Sequence, residues 1–150
     1  MSFAIRFLSK NEDTPGLGHN EEAIYGQLIM GSFTECFYAS LSYWSTADYR
    51  CHWQQAIARI IEGHSNSALI TDIYDPAHAN FITWWPLWRI NKRVYIQNQL
   101  LMMDELSGAF DPLNPYIHVG KRGTISDEGQ KISEWCVPVQ SMKSFLESFD

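Results

Sequence analysis

The clearest periodic stretch of the chain predicts an amphipathic helix from Thr46 to Glu62. Apolar side chains recur in this stretch at helical spacing and form one face, at Tyr49, Trp53, Ala56, Ile57 and Ile60. Ser45 precedes the stretch, and Asp48 follows three residues later, as in a capping box. Gly63 supplies the expected C-terminal stop.

Strand-like patterns occupy much of the remaining chain. They predict strands at Phe3–Leu8, Ala23–Phe33, Glu35–Trp44, Ser67–Tyr74, Phe81–Arg89, Arg93–Leu101 and Tyr116–Val119, and a last strand beginning at Ile132. Gly26 inside the second strand predicts a bulge or a close approach of the backbone. Asn91-Lys92 is a plausible hairpin turn. Apolar positions from Val139 onwards fit a short C-terminal helix.

Three tryptophans lie close together in the hairpin FITWWPLWRINKRVYIQNQLL, Phe81–Leu101. They fit a core position, an interface centre or a ligand pocket, with the core as the default because an indole buries much apolar area. Alternation places Trp84 and Trp88 on one face of the strand and Trp85 on the other, so at least two should be buried. Pro86 removes a ladder donor, which predicts an edge strand or a bulge there.

The order of elements predicts an α+β fold with a mostly antiparallel β-sheet. One long amphipathic helix and a short C-terminal helix would pack on this sheet. A chain of 150 residues fits a single domain over 1–150, with a core of its own.

Charge and cysteine content narrow the possible partners. The formal net charge is −6, which disfavours direct nucleic-acid binding and favours a basic partner. Three widely spaced cysteines without a C-x-x-C pair predict reduced thiols rather than disulfides or a zinc site. The N-terminal residues do not resemble a signal peptide, and no apolar run is long enough to span a membrane. We therefore expect a cytoplasmic protein.

No catalytic motif is present. The five histidines have no metal-binding spacing, and neither a nucleophile elbow nor a phosphate loop occurs. Cys51, His52 and Cys136 could form a site only through the fold. Pairs of loop carboxylates suit acid–base chemistry, a divalent cation, a solvated surface or a binding face. We predict no catalytic residue, no metal and no cofactor.

Four segments together resemble the CdiI-type immunity proteins of bacterial contact-dependent growth inhibition systems. They are GSFTECFYASLSYWSTADYRCHWQQAIARI, SALITDIYDP, the tryptophan hairpin and GQKISEW. The resemblance implies a cytoplasmic, non-enzymatic protein that binds the C-terminal toxin domain delivered by sibling cells and blocks its active site. Such toxins are commonly nucleases, often acting on RNA. The resemblance does not indicate which residues of this chain contact the toxin. A small cytosolic enzyme and a generic protein-binding module remain as alternatives.

The partner is expected to bind on acidic loops, because loops display binding residues on a rigid sheet. Asp72 and Asp75 flank Tyr74, an aromatic suited to an interface centre. The predicted partner-binding residues are Asp72, Tyr74, Asp75, His78, Asp104 and Glu105. This prediction requires the loops near residues 75 and 104 to be neighbours. The acidic loop Asn11–Glu22 is the next candidate.

Overall fold

Two antiparallel sheets and two α-helices form the fold, in a computed structural model that describes residues 2–8 and 23–149. The first sheet has the order β1-β2-β3, with β1 Phe3–Phe7, β2 Ala23–Met30 and β3 Phe33–Ser40. The second contains β4 Asn66–Asp72, β5 Phe81–Ile90, β6 Arg93–Gln97, β7 Gln99–Met102 and β8 Glu134–Pro138. Its order is β4-β5-β6-β8, with β7 also on β5. The helices are α1 Thr46–Ile61 and α2 Val139–Glu147. The predicted α+β class is confirmed.

Helix α1 begins and ends as its sequence predicts. The Ser45 hydroxyl accepts a hydrogen bond from the Asp48 backbone N–H, and the Asp48 carboxylate accepts one from the Ser45 N–H. These two bonds satisfy donors that a helix start otherwise leaves free. At the other end, the Arg89 guanidinium donates to the carbonyls of Ile60 and Ile61. The sheet therefore holds the C-terminal end of α1 in place.

Side chains of α1 satisfy backbone groups of β4, whose only strand neighbour among the described residues is β5. The Ile70 N–H donates to His52 Nε2 at 2.8 Å, and Trp53 Nε1 donates to the Ile70 carbonyl, also at 2.8 Å. A neighbouring strand would ordinarily satisfy such groups. Because Nε2 of His52 is an acceptor, the neutral ring carries its proton on Nδ1. Burial lowers the pKa of His52 to about 3.

Tyr49, also in α1, makes similar hydrogen bonds at the end of β4. Its hydroxyl accepts from the Ile73 N–H at 3.1 Å and donates to the Ser40 carbonyl at 2.7 Å. One buried phenol thus connects the chain just after β4 with the last residue of β3. The Ser67 hydroxyl donates to the Ala56 carbonyl near the start of β4. Helix α1 is therefore attached along β4 by specific polar contacts as well as by its apolar face.

All three tryptophans of the hairpin are buried. They are therefore core residues, as the default interpretation predicts. The Trp84 ring packs edge-on against Phe110, while Trp85, on the opposite face, lies against Trp135. Trp88 Nε1 donates to the Gly120 carbonyl. The predicted division of faces is confirmed, and segments outside the hairpin cover both faces of β5.

The edge strand or bulge predicted at Pro86 is wrong: Pro86 lies in a central strand, and the ladder breaks beside it. Strand β5 pairs with β4 on one side and with β6 and β7 on the other, in a single register. The gap between β6 and β7 falls at Asn98, which stands opposite Trp85 in that register. Because Pro86 has no N–H to donate, the predicted single strand Arg93–Leu101 is divided in two. Asn91, at the predicted turn, has a φ of 56°.

The strand predicted at Tyr116–Val119 is wrong. The chain there forms a single 3₁₀ turn, Pro115–His118. The Asp111 carboxylate accepts from the N–H groups of Leu113 and Asn114, which tightens the chain before the turn. Pro115 then fixes the φ of the first helical residue. The predicted C-terminal helix is confirmed as α2, with Met142 buried.

No helix in the described ranges is long and apolar enough to cross a membrane.

Gly26 is the close backbone approach that the sequence predicts. It pairs with Phe37 across β2 and β3, and the Phe37 ring lies where a side chain would be. A Cβ placed on Gly26 would come within 2.2 Å of that ring, far inside contact distance.

Replacing Gly26 by alanine should therefore destabilise the fold. Displacing a buried ring by one methyl group costs about 1–3 kcal/mol. Chemical denaturation measures the loss. Gly108→Ala is the control, because a Cβ there meets nothing within 4 Å, and it should cause no comparable loss. Equal stability of the two variants would contradict this account of Gly26.

The buried imidazole of His52 should make the fold sensitive to acid. The unfolded chain takes up a proton at this histidine below about pH 6.5, whereas the folded chain resists until about pH 3. The free energy of unfolding should fall as the pH is lowered through this window, by up to about 1.4 kcal/mol per unit from this group. Denaturation from pH 7 to pH 4 should show a shallower slope for His52→Gln than for the wild type. Identical slopes would exclude His52 as the source.

Candidate protein-binding face

The loop between β4 and β5 carries three of the predicted residues in a compact turn. The Asp75 carboxylate accepts from the Ala77 N–H at 3.0 Å, and its backbone carbonyl accepts from the His78 N–H at 2.9 Å. This turn holds Tyr74 with 48% of its surface exposed and leaves His78 largely in solvent. Tyr74, Asp75 and His78 are therefore displayed by an ordered loop that begins at the end of a buried strand.

The second predicted loop adjoins the first. The Met103 N–H donates to the Asn80 carbonyl at 2.9 Å, and Met102 stands opposite Phe81 in the β5–β7 pairing. Asp104 and Glu105 follow immediately in a single 3₁₀ turn, Met103–Glu105, and both are exposed. The two loops are therefore neighbours, as the predicted binding site requires.

A depression of about 550 Å³ opens beside the first of these loops. Its lining combines two exposed aromatic side chains with a carboxylate and an imidazole, and consists of Ser42, Tyr74, Asp75, His78, Ala79, Asn80 and Phe81. We call the surface formed by Tyr74, Asp75, His78, Phe81, Asp104 and Glu105 the loop face. Phe81 is 40% exposed but is not among the predicted residues, because it stands first in a strand that looks buried.

Asp72 differs from the other predicted residues. It is half-buried at the end of β4, and its Oδ1 accepts the Ser40 N–H at 2.8 Å. Burial raises the pKa of Asp72, although the bond from Ser40 opposes that effect. Asp72 is thus no freely exposed loop carboxylate, although its place among the predicted partner-binding residues assumed that it was one. It lines a cleft between the two sheets instead.

The cysteine and histidine residues considered for catalysis do not form a common site. Cys51 is exposed on α1 near the Gln55 amide, while His52 is buried and holds the Ile70 N–H. Cys136 lies in β8 beside Arg93. The described residues contain no cluster of three or more histidine, cysteine or acidic side chains suited to a metal ion. The alternative site Asn11–Glu22 lies outside the described residues.

Comparison with known proteins gives the family. A family model described as the CdiI N-terminal domain matches residues 39–145. The chain belongs to the CdiI immunity-protein family. A curated CdiI immunity protein from Enterobacter cloacae subsp. cloacae is 31% identical over 123 residues, which cover 82% of this chain and 84% of that protein. The relatives found for this CdiI chain are immunity proteins and not enzymes, so the enzymatic alternative is rejected.

The fold of this CdiI chain is also shared across almost its whole length. It matches a chain of the solved CdiA-CT/CdiI toxin and immunity complex from Enterobacter cloacae with a TM-score of 0.83 and 28% identity. The match covers 98% of this chain and 97% of that one. The family model begins at residue 39, near the end of β3, so its match includes α1, β4 and both loops of the loop face.

Charge reversal should affect stability differently at Asp72, whose carboxylate is structural, and at Asp104, which is exposed. Asp72→Lys removes the acceptor of the half-buried Ser40 N–H, which costs about 1–3 kcal/mol. Asp104→Lys changes an exposed side chain and should stay within about 0.5 kcal/mol of the wild type. The denaturant midpoints of the two variants measure this difference in stability. An Asp72→Lys protein as stable as the wild type would show that the Asp72–Ser40 bond contributes nothing.

Proposed function

We propose that this CdiI protein binds and neutralises a cognate CdiA toxin domain in the cytoplasm, by covering the toxin's active site. Family membership supports the immunity role, and a relative with the same fold was solved in a complex of toxin and immunity protein. Its binding residues would be those of the loop face. Asp72 would take part at the margin, where it lines the cleft.

The arrangement of the loop face is the observation that carries this proposal. Tyr74 and Phe81 are partly exposed aromatic rings beside one depression, and Asp75, Asp104 and Glu105 supply negative charge around them. Aromatic side chains at the centre of an interface tend to dominate its binding energy. Charged groups at the rim mainly steer encounter and select partners. The loop face provides both on rigid backbone.

The expected toxin is basic and is a nuclease, with RNA as the favoured substrate. A nuclease has to hold phosphate groups, so its active site is usually rich in lysine and arginine. The formal charge of −6 on this chain suits such a partner. Carboxylates of the loop face would stand where substrate phosphates otherwise bind.

Protection of the cell also requires a high affinity of the immunity protein for the toxin. A free nuclease turns over many times, so almost every toxin molecule has to be occupied. This requires a Kd in the nanomolar range or below, near −12 kcal/mol. An interface of standard size, about 1,600 Å², is sufficient when its central contacts are well packed.

The proposal predicts a gene for a large secreted protein immediately upstream, and the test uses the C-terminal domain of that protein. Wild-type protein should bind this domain with a stoichiometry of one to one and abolish its cleavage of RNA. Asp75→Lys and Glu105→Lys, tested singly, should each slow association several-fold at low salt, and the difference should shrink as salt is added.

Glu62→Lys is the charge-matched control. Glu62 is exposed just after the end of α1, whose sixteen residues separate it by roughly 24 Å from the end near Tyr49. This variant should associate at close to the wild-type rate. Absence of binding by the wild type would refute the immunity function proposed for this partner. Equal rates for all three variants would instead place the interface away from the loop face.

A further inference from the structure

The outer edge of β3 offers backbone groups to a partner. Within the described residues β3 pairs only with β2. The Ser40 N–H points away from β2, since it donates to Asp72. Backbone direction alternates along a strand, so the N–H and carbonyl of Cys36, four residues earlier, point to the same outer edge. Cys36 is also exposed, so this part of the edge is accessible.

A cleft of about 200 Å³ runs beside this edge, between the two sheets. Residues 35–38 of β3 form one wall, and the second sheet contributes Thr71, Asp72, Thr83, Trp85 and Asn98. A helix, ~10 Å across, does not fit such a space, whereas one long side chain does.

Two carboxylates give the cleft its chemistry. Among the described residues the Glu35 carboxylate accepts one hydrogen bond, from the Asn98 amide at 3.3 Å, and the Asp72 carboxylate accepts the Ser40 N–H. Neither has an ion-pair partner in the part of the chain that the structure describes. Burial raises the pKa of both groups, since each carries its charge partly away from water. A cation placed between them would offset that cost.

Apolar surface links the cleft to the loop face. Thr83 lines the cleft and stands opposite Leu100 across β5 and β7, so both side chains lie on one face of the sheet. Phe81, two residues earlier on β5, shares this face and lines the depression. Leu100 is 57% exposed. A partner seated on the loop face can therefore reach the cleft over continuous surface.

We propose that the outer edge of β3 binds an extended, basic segment of the toxin. Its main chain pairs with Cys36, and a lysine or arginine enters the cleft between Glu35 and Asp72. This mode of strand addition gives affinity through backbone hydrogen bonds and specificity through the side chain in the cleft. The inference rests on the proposed function, because the segment belongs to the toxin that the loop face binds.

The backbone contact is tested with Cys36→Pro. Proline removes the outward N–H and leaves the ladder to β2 intact, as an edge strand tolerates. Cys36→Ala is the matched control, since it changes the side chain and keeps the N–H. We expect the proline variant to weaken binding of the upstream toxin domain at least about tenfold, and the alanine variant to bind within about twofold of the wild type. Thermal denaturation checks that both are folded.

The charge contact is tested with the double variant Glu35→Gln, Asp72→Asn. Both replacements keep an oxygen acceptor for Asn98 and Ser40, so the fold should be as stable as before. Binding of the toxin domain should weaken at least about tenfold and depend less on salt. Hydrogen exchange provides a second measurement that does not need the proline variant to fold: the Cys36 amide should exchange more slowly in the complex.

The outcomes separate this inference from the proposed function. Wild-type affinity in the double variant, or an unprotected Cys36 amide in the complex, overturns the β3-edge inference. The immunity function stands in that case if the wild type still neutralises the toxin. A wild-type chain that fails to bind overturns both.

Discussion

The attachment of α1 along β4 is the constraint on which the candidate surface depends. His52 and Trp53 satisfy both backbone groups of Ile70, and Tyr49 joins the end of β4 to the end of β3. A strand with a free edge normally requires a neighbour or a cover, and here a helix provides it. Because Tyr49 fixes the point where the chain leaves β4, the loop that carries Tyr74 and Asp75 starts from a rigid position. Core packing and surface display thus depend on the same side chains.

Local pattern was sufficient for most of the fold. The spacing of apolar residues in α1, the capping pair Ser45 and Asp48, and the alternation around Trp84 are all short-range signals, and each gave the right element. The errors came from effects that pattern does not contain. Tyr116–Val119 alternates like a strand, but the turn set by Asp111 and Pro115 determines its conformation. The division of Arg93–Leu101 required knowledge of which residue faces Pro86.

The candidate site was predictable only in part. Composition and loop position selected Tyr74, Asp75, His78, Asp104 and Glu105, and their proximity follows from β5, which pairs with both β4 and β7. No sequence signal reveals that pairing. In the sequence Asp72 looks the same as Asp75, because both are acidic residues near Tyr74. Its role is nevertheless determined by a hydrogen bond from Ser40, 32 residues earlier in the chain. Phe81 was overlooked because the first residue of an apolar strand gives no indication of its exposure.

The inward orientation of Glu35 also has a consequence for self-association. An accessible strand edge invites pairing with a second copy of the same chain, and natural proteins discourage this with charges that point inward from the edge. Two copies joined edge to edge at β3 would bring two partly desolvated Glu35 carboxylates, and two Asp72 carboxylates, into one narrow space. Like charges repel strongly where water is scarce. The carboxylates proposed to receive a basic side chain would therefore also keep two copies of the chain apart at this edge.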